Sequence, residues 1–115
     1  MVRHENERTF EEIYIQNGPG KVKTRRILEG PAELCSKGRI YNHTYIPKGS
    51  GIGWHIHQGT CECYYVLKGE GRYSDNGRET ILHPGDVTFT ADGEGHSLVN
   101  EKDEVLEVIA LVLNS

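Results

Sequence analysis

The sequence predicts an all-β domain, a sandwich or barrel of short strands, and three observations carry that expectation. Beyond Lys37 the chain divides into short runs rich in Ile, Val, Tyr, Phe and Thr, the residue types that fit a pleated, half-buried surface. Each run is closed by Gly, Pro, Asn or Asp, the punctuation of strands and turns. Glycine accounts for 14 of the 115 residues, well above the ~7% of an average chain, and falls between the apolar runs.

The elements follow in order. Residues 1–36 read as an N-terminal lead-in segment, with a short helical turn in Glu7 to Ile13, a Gly-Pro-Gly break at Gly18 to Gly20, and an edge strand over Val22 to Leu28. Residues 37–115 read as the β-barrel, and the two parts form one domain. Its strands are Arg39 to Ile46, Gly53 to His57, Cys61 to Leu67, Gly69 to Asp75, Glu79 to Leu82, Asp86 to Thr90, His96 to Asn100 and Val105 to Leu113. Asp75-Asn76-Gly77 makes a hairpin turn, because Asn and Gly tolerate the positive φ that a type I′ turn requires.

The last segment is apolar on both parities. Leu106, Val108, Ala110 and Val112 share one face, and Val105, Ile109, Leu111 and Leu113 the other. A strand with one face in water should alternate, so either both faces are buried within the monomer or the outer one meets a second subunit, and for so small a sandwich a homodimer contact is the expectation.

Charge removes two classes of partner. Lys and Arg total 13 against 17 Asp and Glu, a formal charge of −4, so no net positive field exists to hold nucleic acid or an anionic membrane surface. Met1 to Phe10 lacks the apolar stretch of a secretory signal, and the longest apolar run is Val108 to Leu113. Three cysteines, Cys35, Cys61 and Cys63, are an odd number and too few for a disulfide scaffold. A cytoplasmic location is the expectation.

Chemistry enters at His55 and His57. Residues one apart in a strand point to the same side, roughly 6.5–7 Å between Cα atoms, so both imidazoles can reach one ion at about 2.0–2.1 Å. Alone, such a pair is a weak signal, because surface or core histidines explain most His-x-His pairs. Its surroundings say more. Gly49 to Gly69 has the form G-x5-H-x-H-x4-E-x6-G, and Gly85 to Asn100 the form G-x5-A-x-G-x2-H-x3-N, with 15 residues between them. The first resembles the first conserved motif of the cupin superfamily residue for residue. The second is similar to the second cupin motif, with Ala91 where that motif has proline.

The resemblance implies a double-stranded β-helix, the jelly-roll barrel of the cupins, with a divalent metal near its middle. Carried over, the ligands are His55, His57, Glu62 and His96. Three neutral nitrogens and one carboxylate leave two open octahedral positions and suit Mn, Fe, Co, Ni or Zn better than Mg or Ca. The sequence does not choose among those five metals.

Parity suggests what surrounds the metal. Tyr64 and Val66 share the face of Glu62, while Cys61, Cys63 and Tyr65 take the opposite one, so the two cysteines are not expected as ligands. Their spacing along a strand also disfavours a bridge between them. On the preceding strand, Asn42, Thr44 and Ile46 share one face, and Arg39, Tyr41, His43 and Tyr45 the other. Asn42 is therefore a candidate substrate-binding residue, against the plainer reading of a polar group at a strand edge. Tyr64 is the one inward candidate for a catalytic acid or base. Trp54 points away from His55, Tyr73 and Phe89 read as packing aromatics, and His4, His43 and His83 as solvated or locally satisfied.

The cupin resemblance implies a metalloenzyme acting on a small oxygen-rich acid or sugar, of decarboxylase, isomerase or dioxygenase type. Against it, no second carboxylate is expected beside the metal, and one fold hosts many activities. A non-catalytic small-molecule-binding or sensor protein is the alternative, and a purely structural dimer a third.

Overall fold

Alternation along the chain becomes two antiparallel sheets that face each other across a shared interior. The computed structural model describes all residues 1–115. Its strands are β1 (Phe10–Ile13), β2 (Val22–Arg26), β3 (Gly38–Ile46), β4 (Gly51–Ile56), β5 (Thr60–Lys68), β6 (Gly71–Asp75), β7 (Arg78–Leu82), β8 (Val87–Thr90), β9 (Gly95–Val99) and β10 (Leu106–Asn114). One sheet has the order β1-β2-β3-β10-β5-β8 and the other β4-β9-β6-β7, the arrangement of a jelly-roll barrel. All eight segments expected beyond Lys37 are strands. Asn76 and Gly77 have φ of 53° and 91°, so the β6–β7 hairpin closes through the positive-φ turn its residues specify. No helix is long and apolar enough to cross a membrane.

The lead-in segment departs from expectation in two places. Glu7 to Ile13 is not helical: a 3-10 turn covers Glu5–Glu7, and Phe10–Ile13 is strand. The reason is tertiary. β1 pairs with β2 from Phe10↔Arg25 to Ile13↔Val22, Arg25 lies 5.0 Å over the Phe10 ring, and Arg26 pairs with Glu11 at 2.8 Å. A seven-residue helix would forgo those cross-strand partners. In consequence Val22–Arg26 is an interior strand, and β1 takes the edge it was expected to hold.

Residues 15–19 then run along β4. Ile15 bridges Ile52, Gly53 N donates to the Ile15 carbonyl at 3.1 Å, and Gly51 N donates to the Pro19 carbonyl at 2.8 Å. The approach is so close that a Cβ at Gly53 would collide with the Gln16 carbonyl, which is why this strand carries glycines there.

The interior is divided along the barrel axis. At one end Val22, Ile46, Val66, Leu98, Leu106 and Val108 are fully buried and form the apolar core, each stabilising the fold by about 1.5–3 kcal/mol. Towards the other end the inward positions of the same strands turn polar: Asn42 and Thr44 before Ile46 on β3, and Thr60, Glu62 and Tyr64 before Val66 on β5. On β10 the matching position is Ala110, opposite Asn42 on β3 and Tyr64 on β5. Its small side chain leaves room where larger ones would fill the barrel.

Candidate metal centre

That space is a cavity of about 340 Å³, walled by Asn42, Thr44, Thr60, Glu62 and Tyr64 from the larger sheet and by His55 and His57 from the smaller one. His55 on β4 lies opposite His96 on β9, and His57 follows directly after β4. Glu62 on β5 faces Thr90 on β8. Side chains distant in sequence thus meet: one donor atom from each of His55, His57, Glu62 and His96 lies within 4.8 Å of the others.

The three imidazoles present the same nitrogen. His96 Nε2 is 3.0 Å from His55 Nε2, 3.1 Å from His57 Nε2 and 3.0 Å from Glu62 Oε1. His57 Nε2 lies 3.1 Å and His55 Nε2 3.8 Å from the same carboxylate oxygen. Donors about 2.1 Å from a shared centre and at right angles to one another would be about 3.0 Å apart. The donor set and its spacing therefore fit a single divalent transition metal.

Each Nδ1 is occupied on the far side. His55 Nδ1 donates to the Gly53 carbonyl at 2.8 Å, an acceptor-only partner that leaves Nε2 unprotonated and free to ligate. His57 Nδ1 is 2.8 Å from Thr60 Oγ1. His96 Nδ1 is shared between Thr90 Oγ1 at 2.8 Å and the Tyr73 hydroxyl at 2.9 Å. Such outer partners fix ring orientation and tautomer. Tyr73 therefore orients His96 as well as packing the core, and Thr60, Thr90 and Tyr73 are partners of the histidine cluster that sequence reasoning missed. Strand parity was the available signal, since Thr60 shares the face of Glu62 and Thr90 lies directly opposite it.

The electrostatics follow from burial and neighbours. Burial pushes the Glu62 carboxyl up, but hydrogen bonds from His55, His57 and His96 outweigh it and hold its pKa below the usual range. Burial favours neutral His55, yet Glu62 and the Gly53 carbonyl win and raise its pKa above the ordinary value. For His96 burial prevails and lowers it. Tyr64 is fully buried, lies parallel to the His96 ring at 5.0 Å, and its hydroxyl is pushed well above its ordinary pKa by burial and by the Glu62 charge. It holds its proton at any physiological pH.

Other residues fall as follows. Asn42 lines the cavity. Cys61 and Cys63 are half-buried free thiols on the outer face of β5, and burial raises the Cys63 pKa. Trp54 is half-exposed and packs over Gly95. His43 is satisfied locally, by Glu107 at 2.9 Å and by stacking on Tyr45 at 4.2 Å. Arg39 does not follow Tyr41, His43 and Tyr45 outward but lines the cavity mouth.

Comparison with known proteins agrees with this geometry. An oxalate-binding protein from Thermotoga maritima is 38% identical over 114 residues, covering 98% of this chain and 93% of the relative. A crystal structure described as a predicted oxalate decarboxylase from the same organism superposes with a TM-score of 0.93 at 36% identity, over the whole of both chains. KdgF from Halomonas sp. shares the fold alone, with a TM-score of 0.75 at 14% identity over 100% of this chain and 96% of that one. Residues 42–112 match the family model for the cupin domain, and with the paired sheets and the three-histidine, one-glutamate cluster on the page, the chain belongs to the cupin family.

Proposed function

We propose that the chain binds a small oxygen-rich organic acid, of the oxalate class, through a divalent transition metal held by His55, His57, Glu62 and His96. The observation that carries this reading is the convergence of those four donors, with His55, His57 and Glu62 on the wall of an open cavity in which Glu62 is the only carboxylate and His96 buried directly behind them. An acid entering there meets a single negative side chain, already paired with three imidazoles. When bound, a Mn, Fe, Co, Ni or Zn ion supplies a Lewis acid with positions left for carboxylate oxygens. Asn42, on the cavity wall, offers amide donors to the outer oxygens of the ligand. The oxalate named for the similar Thermotoga protein fits this chemistry.

Turnover is the second reading, and Tyr64 favours it. A protonated hydroxyl on the cavity wall can give a proton to a carbanion left by decarboxylation. Burial keeps that hydroxyl in its protonated, donor form. Calorimetric titration of metal-loaded protein with oxalate tests binding, and measurement of released formate and carbon dioxide tests turnover. Saturable binding without product supports the first reading, product that disappears in Tyr64→Phe the second, and no binding with any of the five metals refutes both.

We further propose that a second copy of this chain covers the outer face of the larger sheet. Val87 and Phe89, each 63% exposed, and Tyr65, 45% exposed, stand there beside the half-buried Ile109 and Leu111, and like faces of one sheet are self-complementary in a two-fold dimer. Sedimentation of the wild type and of Phe89→Lys should give a dimer and a monomer respectively.

A further inference from the structure

A second hollow of about 380 Å³ adjoins the metal cavity, sharing Ile15, Thr24, Arg39, Ile40 and Asn42 with it. Two arginines line these adjoining hollows. Arg26 is neutralised, by Glu11 at 2.8 Å and Glu29 at 3.1 Å. Arg39 has no carboxylate partner: its Nε donates to Asn114 Oδ1 at 3.0 Å, and both terminal nitrogens remain free. It is also the only cationic side chain lining the metal cavity.

A break in strand register puts it there. On β10, Val112 lies opposite Ile40 and Leu113 opposite Gly38, which makes Arg39 an extra, unpaired residue. A bulge of this kind re-aims a side chain. Simple alternation would send Arg39 outward with Tyr41 and His43. Its anchor points the same way, because Asn114 lies opposite Thr60, whose hydroxyl holds His57. The guanidinium is thereby tied to the metal end of the barrel, on a strand that lies two inter-strand spacings, about 9–10 Å, from the strand of Thr60.

We propose that Arg39 is the specificity-determining residue of this site, the second anchor of a dianionic ligand whose first carboxylate is held among the four metal-binding side chains. The free fork of Arg39 matches a carboxylate with two parallel hydrogen bonds. Metal coordination alone accepts any small acid, whereas Arg39 selects those that carry a second negative group. The inference rests on the preceding reading of the cavity as a carboxylate site and deepens it.

The test uses cobalt- or manganese-loaded protein, with affinities measured by calorimetry for matched pairs: oxalate and glyoxylate, malonate and acetate, succinate and butyrate. Wild type should hold at least one diacid tenfold or more tightly than its partner, and the margin should shrink with added salt, because Arg39 is exposed. Arg39→Gln should weaken that diacid by about 10- to 100-fold, while metal affinity and binding of the monoacids stay within about twofold. Arg39→Lys should recover part of the loss, as a point charge without the fork. The proposal is overturned if Arg39→Gln binds the diacids as wild type does, or if it loses mono- and diacids alike. Failure of loaded wild type to bind any of the six acids would overturn the carboxylate reading itself, a distinct result.

Discussion

Thr60→Val isolates what the outer hydrogen bonds contribute to the metal centre. His57 is buried, and Thr60 Oγ1, at 2.8 Å, is the sole partner of its Nδ1. For Nε2 to ligate, the proton must sit on Nδ1 and be donated to that hydroxyl. Valine keeps the volume and removes the acceptor, so the imidazole must either bury an unsatisfied N–H, at about 1–3 kcal/mol, or move its proton to Nε2 and block the metal. Loss of such an outer partner weakens metal binding by about 10- to 100-fold, equivalent to about 1.4–2.7 kcal/mol, and the two figures agree. Competition of Co²⁺ between protein and a chelator measures the constant, with circular dichroism to confirm the fold. Thr60→Ser restores the oxygen and should restore affinity. A Thr60→Val protein that binds Co²⁺ as tightly as wild type, or a Thr60→Ser protein as weak as Thr60→Val, would refute the reasoning.

Three further outcomes are expected. Tyr73→Phe should cost less metal affinity than Thr60→Val in the same competition assay, because His96 Nδ1 keeps Thr90 at 2.8 Å. Glu62→Ala removes the only carboxylate of the cluster, and metal content after growth in defined medium should fall well below one ion per chain. Metal affinity should rise with pH: below its raised pKa His55 carries a proton that the metal must displace, so the binding constant climbs by about tenfold per pH unit per proton released and levels off above that pKa. A profile already flat at pH 6, read by the same chelator titration, would show that His55 is not a ligand.

Much of the site was legible because it is written in spacing. His55 and His57 sit one residue apart, Glu62 five residues after His57, and a strand's period of two sends Glu62, Tyr64 and Val66 inward together. The glycine-closed runs fixed the strands for the same reason. What escaped depends on contacts between distant segments. Phe10 and Ile13 are spaced as on a helix, but the β2 ladder decides their conformation. Tyr73 reads as packing until its hydroxyl is seen on His96. Arg39 obeys outward parity until a single extra residue in β3 turns it, and nothing local in Gly38-Arg39-Ile40 announces that shift.

The contact of residues 15–19 with β4 has a consequence beyond the shape of the cavity. β4 is the outermost strand of its sheet, and an outermost strand presents unpaired amides and carbonyls that recruit strands from other molecules. The Ile15 and Pro19 carbonyls occupy two of those amides. A chain shortened to begin at Lys21 would expose them beside His55, so that self-association by strand addition would compete with the metal for the same strand.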